Sequence, residues 1–206
     1  GGRCTNVCPD GMTYVSAGAF TQGCDASENT PMVQNCAPSA QPVHKTRLSQ
    51  PFCIGRAEVT VADFRRCVKE GRCAAPPELA CAPLTATWSD KAGDQQREQL
   101  PINCLLWTDA QAVCEFLGGR LPWGSSTLID CDKGVNWGAG DGCAQTLWPA
   151  GSRSGTQALS ASKPLDMAGN VWEWTADWYS DMAYKPCADG CTDPRGPDTG
   201  VVRVRR

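Results

Sequence analysis

The chain has 206 residues, 41% of them hydrophobic and 20% charged, with a formal net charge of −3; that size and balance suit one soluble globular domain with room for a core. A net negative charge gives no electrostatic case for nucleic acid, which requires a basic face. No apolar run approaches the roughly 20 residues that cross a bilayer.

Fourteen cysteines and a single histidine, His44, are the strongest compositional facts. No Cys-x-x-Cys occurs, which argues against a zinc ribbon or finger. Disulfides formed in an oxidising compartment are the better reading: the extracellular space, a periplasm or a cell surface. Connectivity is not legible from sequence, but short loops favour Cys4–Cys8, Cys24–Cys36, Cys67–Cys73, Cys131–Cys143 and Cys187–Cys191. Each bridge would add about 2–4 kcal/mol by constraining the unfolded chain, less for the shortest loops. Because the chain opens on Gly1-Gly2, a leader is expected to have been removed.

In chain order, residues 1–10 read as an N-terminal arm tied down by a bridge, and 11–206 as a single domain. Met12 to Phe20 is a strand candidate, and residues 25–42 are polar and loop-like, with Pro31, Pro38 and Pro42. From Val43 to Leu48 the side chains alternate as in a strand. His44 lies in it and reads as a packed structural residue, since no nucleophile motif accompanies it. Thr60 is placed to cap a helix over Val61–Lys69, where Val61, Phe64, Arg65 and Val68 follow helical spacing and Gly71 stops it. Residues 74–99 read as a surface insertion, solvated from Asp90 to Glu98. Thr108 or Asp109 would cap a second helix that buries Ala112, Val113, Phe116 and Leu117 and ends at Gly118-Gly119. Its Cys114 could bridge to a strand cysteine such as Cys53. Residues 124–164 are Gly-rich and irregular, and Val201–Arg206 is a last strand candidate.

Leu165 to Tyr179 is the densest stretch, with Trp172, Trp174 and Trp178 within seven residues. Val171 to Thr175 has period two and predicts a strand with indoles on one side and Glu173 on the other. Gly169-Asn170 before it is a turn signal that admits left-handed backbone. Asp166 and Glu173 flank the turn and offer the hard oxygen ligands that calcium prefers. The plainer reading is a buried aromatic strand with two solvated carboxylates.

The run D-M-A-G-N-V-W-E-W-T-A-D-W-Y resembles the signature of the sulfatase-modifying-factor, or formylglycine-generating-enzyme, family. Three further segments are similar to the family: Pro42 to Thr60 with its E-V-T, Leu100 to Ala110 with its L-P … W-x-D-A, and Arg120-Leu121-Pro122. The resemblance implies an α+β fold, C-type-lectin-like, with two main helices, short twisted sheets and much irregular backbone. It also implies two structural calcium sites. One would use Asp166 and Glu173 with the carbonyls of Gly169 and Val171. The other would use Asp132 and Asp141 with the carbonyls of Lys133 and Cys143, though a disulfide-closed surface loop is as good a reading there. After Pro122 the family continues with a helix that does not follow here: either that helix is deleted or, the favoured reading, a segment is missing between 122 and 123.

The family enzyme oxidises a sulfatase cysteine to formylglycine with copper(I) and oxygen. Its two catalytic cysteines follow the strand at which this sequence stops, so the resemblance carries copper only if polypeptide past Arg206 holds such a pair. Cys187 and Cys191 are four apart, and thiolates do select copper(I). The turn-like Ala188-Asp189-Gly190 between them favours a local disulfide instead. A histidine-ligated iron site is out of reach of one His44. Two readings follow. The favoured one is a secreted, non-catalytic binding or structural module whose partner is a protein, a glycan or a larger cell-surface assembly. The other is the copper-dependent oxidase.

Overall fold

In the computed structural model, residues 8–24, 38–76, 86–90, 93–121, 147–152, 164–166 and 170–205 are described. The strands are β1 (Met12–Val15), β2 (Gly18–Gln22), β3 (His44–Leu48), β4 (Phe52–Gly55), β5 (Trp174–Trp178), β6 (Cys191–Thr192) and β7 (Arg203–Arg205). The helices are α1 (Val61–Lys69), α2 (Gln95–Glu98) and α3 (Trp107–Phe116). Few helices and short sheets make the mixed fold that the sequence predicts.

The segment expected as one strand from Met12 to Phe20 is two. β1 pairs antiparallel with β4, Tyr14 opposite Cys53, whereas β2 pairs antiparallel with β3, Gln22 opposite His44. β6 joins the other side of β3 in parallel, Cys191 beside Thr46. β3 shows the alternation read from sequence: His44 and Thr46 are buried, Lys45 and Arg47 exposed. Gly23 follows β2 at φ +106°, and a Cβ there would lie 3.0 Å from Pro42 O and from Val43 Cα, so only glycine fits.

α1 forms where the sequence places it. Thr60 accepts from Asp63 N, and Asp63 reaches back to Thr60 N, closing both ends of a capping box. Glu70 caps the other end, and Gly71 leaves the helix at φ +68°. Val61, Phe64 and Cys67 are fully buried and pack with Cys73, Ile102 and Val113. Arg65, expected on this face, instead pairs with Glu98 at 2.8 Å and lies over the Trp88 ring. The described part of 74–99 is therefore not merely solvated. Trp88 packs edge-on against Phe64, and buried Thr87 donates to Pro101 O. An arginine half-withdrawn from water needs a carboxylate partner, and Glu98 supplies it.

α3 starts two to three residues earlier than expected, with Leu106 at the cap and Asp109 accepting from Leu106 N. It buries Ala110 and Val113, while Ala112, Phe116 and Leu117 are only partly buried against the core.

Three disulfides join described cysteines: Cys8–Cys53, Cys67–Cys73 and Cys187–Cys191. The last two match the short-loop expectation. Cys4–Cys8 does not form, because Cys8, just before the β1–β4 pairing, is bonded to Cys53 of β4. That leaves Cys114 without the Cys53 partner predicted for it; it is a free thiol. Cys24 and Cys104 are also disulfide-bonded. The expected Cys131–Cys143 pair, Cys36 of the expected Cys24–Cys36 pair and the gap after Pro122 lie outside the described residues. No described helix is long and apolar enough to cross a membrane.

Candidate functional site

The corner leading into α1 gathers three distant segments. Val61 N donates to Leu100 O and Ile102 N to Val59 O. Leu165 N donates to Arg56 O, and Ala150 N to Gln99 O. These bonds bring residues 147–152 and 164–166 against Glu58.

The result is a tight polar cluster. Asp166, 4% exposed and at φ +49°, accepts from Gly151 N at 2.6 Å. Glu58 Oε2 accepts from the same N–H at 3.4 Å. Asn170, 3% exposed and at φ +61°, donates from Nδ2 to Glu58 Oε1 at 2.7 Å and to Trp148 O at 3.1 Å. Its Oδ1 accepts from Trp148 N at 3.1 Å. Gly151 must be glycine: at φ +71° an added Cβ would sit 3.2 Å from Ala57 Cβ. Burial pushes the Glu58 carboxyl up to about 8, and the Asp166 charge adds to the rise.

Beside the cluster runs the indole ribbon. β5 pairs antiparallel with β7, Trp174 opposite Arg205 and Trp178 opposite Arg203. The strand was expected over Val171 to Thr175 but begins at Trp174. The reason is Asn170: its left-handed backbone and anchored side chain hold the chain in a turn, and pairing starts only opposite β7. Trp107 Nε1 donates to Thr175 O at 2.8 Å and Trp174 Nε1 to Leu105 O at 2.9 Å, stitching the start of α3 to β5. Trp172 stays 67% exposed, with Arg205 over its ring.

Of the residues expected to bind metal, Asp166, Val171 and Glu173 are described. Gly169 and the whole second set, Asp132, Lys133, Asp141 and Cys143, lie outside the described residues. Among described residues no group of three His, Cys, Asp or Glu side chains is arranged for a metal. Sequence reasoning gave Glu58 and Asn170 no role at a site. The signal was present, since both sit inside segments that carry the family resemblance, E-V-T and G-N-V-W-E-W.

The other chemical candidates are quiet. His44 is buried, donates from Nδ1 to Pro42 O at 2.8 Å and meets Tyr184 edge-on. Tyr184 accepts from Gln22, which accepts from Thr46. Burial, helped by the Glu115 charge, pushes the Cys114 thiol up to about 11, away from reactive thiolate. An open concavity of about 3000 Å³, lined by residues as far apart as His44, Val113 and Trp178, is several times larger than a small-molecule pocket of about 300–1,000 Å³ and does not locate a ligand.

Comparison with known proteins bears on the fold. A family model described as the sulfatase-modifying factor enzyme 1-like domain matches residues 3–205. The formylglycine-generating enzyme of Mus musculus is 27% identical over 154 residues, 59% of this chain and 39% of that protein; the chain thus spans about two fifths of that relative. The inactive C-alpha-formylglycine-generating enzyme 2 of Mus musculus is 26% identical over 244 residues, 93% of this chain and 72% of that protein. Among solved structures, PvdO from Pseudomonas aeruginosa shares the fold, with a TM-score of 0.62 at 24% identity over 92% of this chain and 78% of that one.

Proposed function

The chain belongs to the sulfatase-modifying factor enzyme 1-like family, and from that premise we propose that it is a disulfide- and calcium-stabilised, non-catalytic binding or structural module of an oxidising compartment. One observation carries this reading. Cys187 and Cys191, the pair four apart that the sequence offers for copper(I) within this chain, form a disulfide that closes the turn before β6. Sulfur atoms bonded to each other are not thiolate ligands. The matched relatives include one named inactive, so membership alone does not bring catalysis.

The donor chemistry fits calcium at the first expected site. Asp166 is a nearly buried carboxylate packed against a second one, Glu58, and a divalent cation would relieve that crowding as well as a proton does. Asp166, Glu173 and the Val171 carbonyl would hold the ion, together with Gly169. Bound there, calcium supplies a structural tie between the 164–166 segment and the indole ribbon. The module would present its loops and exposed Trp172 to a protein or glycan partner.

The alternative, a copper-dependent oxidase acting on a sulfatase cysteine, is favoured by the name of the mouse enzyme relative. One assay separates the two. The full-length protein, with any polypeptide past Arg206 included, is incubated with copper(I), oxygen and a cysteine-bearing sulfatase peptide, and peptide mass is followed. No aldehyde product is expected; turnover would establish the oxidase. In parallel, melting is recorded with calcium and with excess chelator. The chelator is expected to lower Tm, because the ion binds only the folded chain. An unchanged curve would remove calcium from the proposal.

A further inference from the structure

We propose that Glu58 and Asn170 are positioning residues for the calcium loop: neither ligates the ion, and together they hold the backbone and the carboxylate that would. This rests on the calcium reading above. Asn170 directly precedes Val171, an expected carbonyl ligand, and its left-handed conformation aims the chain there. Asparagine enters the left-handed region more readily than most residues with a side chain, but backbone preference alone does not lock it there. Here its side-chain amide makes three hydrogen bonds, two to the Trp148 backbone and one to Glu58. Glu58 is anchored in turn by the chain entering α1.

Both Glu58 oxygens are already engaged. Oε1 takes the Asn170 amide at 2.7 Å, and Oε2 faces Gly151 N at 3.4 Å, the same N–H that holds Asp166. A carboxylate so occupied orients its neighbours rather than reaching an ion. Without it, Asn170 Nδ2 keeps only Trp148 O, and the loop loses its tie to α1. Calcium affinity follows how rigidly the oxygens are placed, and removing an outer partner of a ligand typically costs 10–100-fold in affinity.

The test is calcium titration by calorimetry, with tryptophan-sensitised terbium luminescence as a second readout, on the parent, Glu58→Gln, Glu58→Ala and Asn170→Gly. Glutamine keeps the acceptor for Asn170 and can donate to Asp166, so Glu58→Gln is expected to bind within about threefold of the parent. Glu58→Ala is expected to lose at least about tenfold. Asn170→Gly, which keeps the left-handed backbone but lacks the amide, is expected to lose as much, and carries the test if Glu58→Ala does not fold. Parent-like affinity in Glu58→Ala or Asn170→Gly would overturn the positioning role. A loss in Glu58→Gln equal to that in Glu58→Ala would overturn it too, by showing that the charge itself binds. A parent that takes up neither ion would overturn the calcium reading and this proposal with it.

Discussion

The guanidinium carbon of Arg203 lies 3.5 Å from the centroid of the Trp178 ring. It also lies 3.8 Å from the centroid of the Trp107 ring, and Nη1 donates to Ala176 O at 2.6 Å. One arginine thus clamps β7, β5 and the start of α3. Arg203→Ala is expected to destabilise the fold by about 2–4 kcal/mol, from two desolvated cation–π contacts and one charged hydrogen bond. Arg203→Lys is not expected to rescue it, because an ammonium cannot stack flat on a ring. Urea denaturation followed by tryptophan fluorescence measures both; a loss under about 1 kcal/mol in Arg203→Ala would refute the clamp.

The crowded carboxylates give the metal-free protein a pH dependence. Burial, then the Asp166 charge, raises the Glu58 carboxyl from 4.5 to about 8 on folding. Between those values the folded chain holds a proton that the unfolded chain has released. The group's contribution is therefore full below its unfolded value and is lost as pH rises towards 8. The slope is at most about 1.4 kcal/mol per pH unit. Denaturation midpoints in chelator are expected to fall between pH 5 and pH 8, and Glu58→Gln to flatten that fall. Equal slopes in the two proteins would assign the effect elsewhere.

Cys114 is expected to resist alkylation in the folded state. With its thiol pushed up to about 11 by burial and then by Glu115, roughly a thousandth is thiolate at pH 8. Iodoacetamide labelling read by mass spectrometry is expected to reach Cys114 only after unfolding. Labelling as fast as an unstructured thiol would mean that the helix face is open.

Gly23 and Gly18 sit at opposite ends of β2 and differ in what they tolerate. Gly23→Ala must force φ +106° on an L-residue and push a methyl against Pro42 and Val43. A cost above about 2 kcal/mol is expected. At Gly18 an added Cβ meets nothing within 4 Å, so Gly18→Ala is the control. Equal thermal shifts in the two variants would contradict the turn geometry.

What could be read from the chain directly was local. Thr60, Asp63 and Gly71 fix both ends of α1 through contacts a few residues long. The alternation from His44 to Leu48 fixes which side of β3 is buried, and the Gly169-Asn170 signal fixes a left-handed turn at Asn170. The long D-M-A-G-N-V-W-E-W run fixes the family. Each rests on neighbours whose spacing the sequence states outright.

Tertiary structure alone decided the pairings between distant segments. Cys8 reaches Cys53 across a separation of 45 residues, although shorter partners were available on paper. Loop closure grows costlier only slowly with length, so a preference for short loops is weak, and the β1–β4 register overrides it. The same holds for Glu58 meeting Asp166 and for Arg203 meeting Trp107 and Trp178. A carboxylate or a guanidinium carries no mark of its partner in the sequence. Its partner is set by which backbone segments pair first and by what burial then leaves within reach.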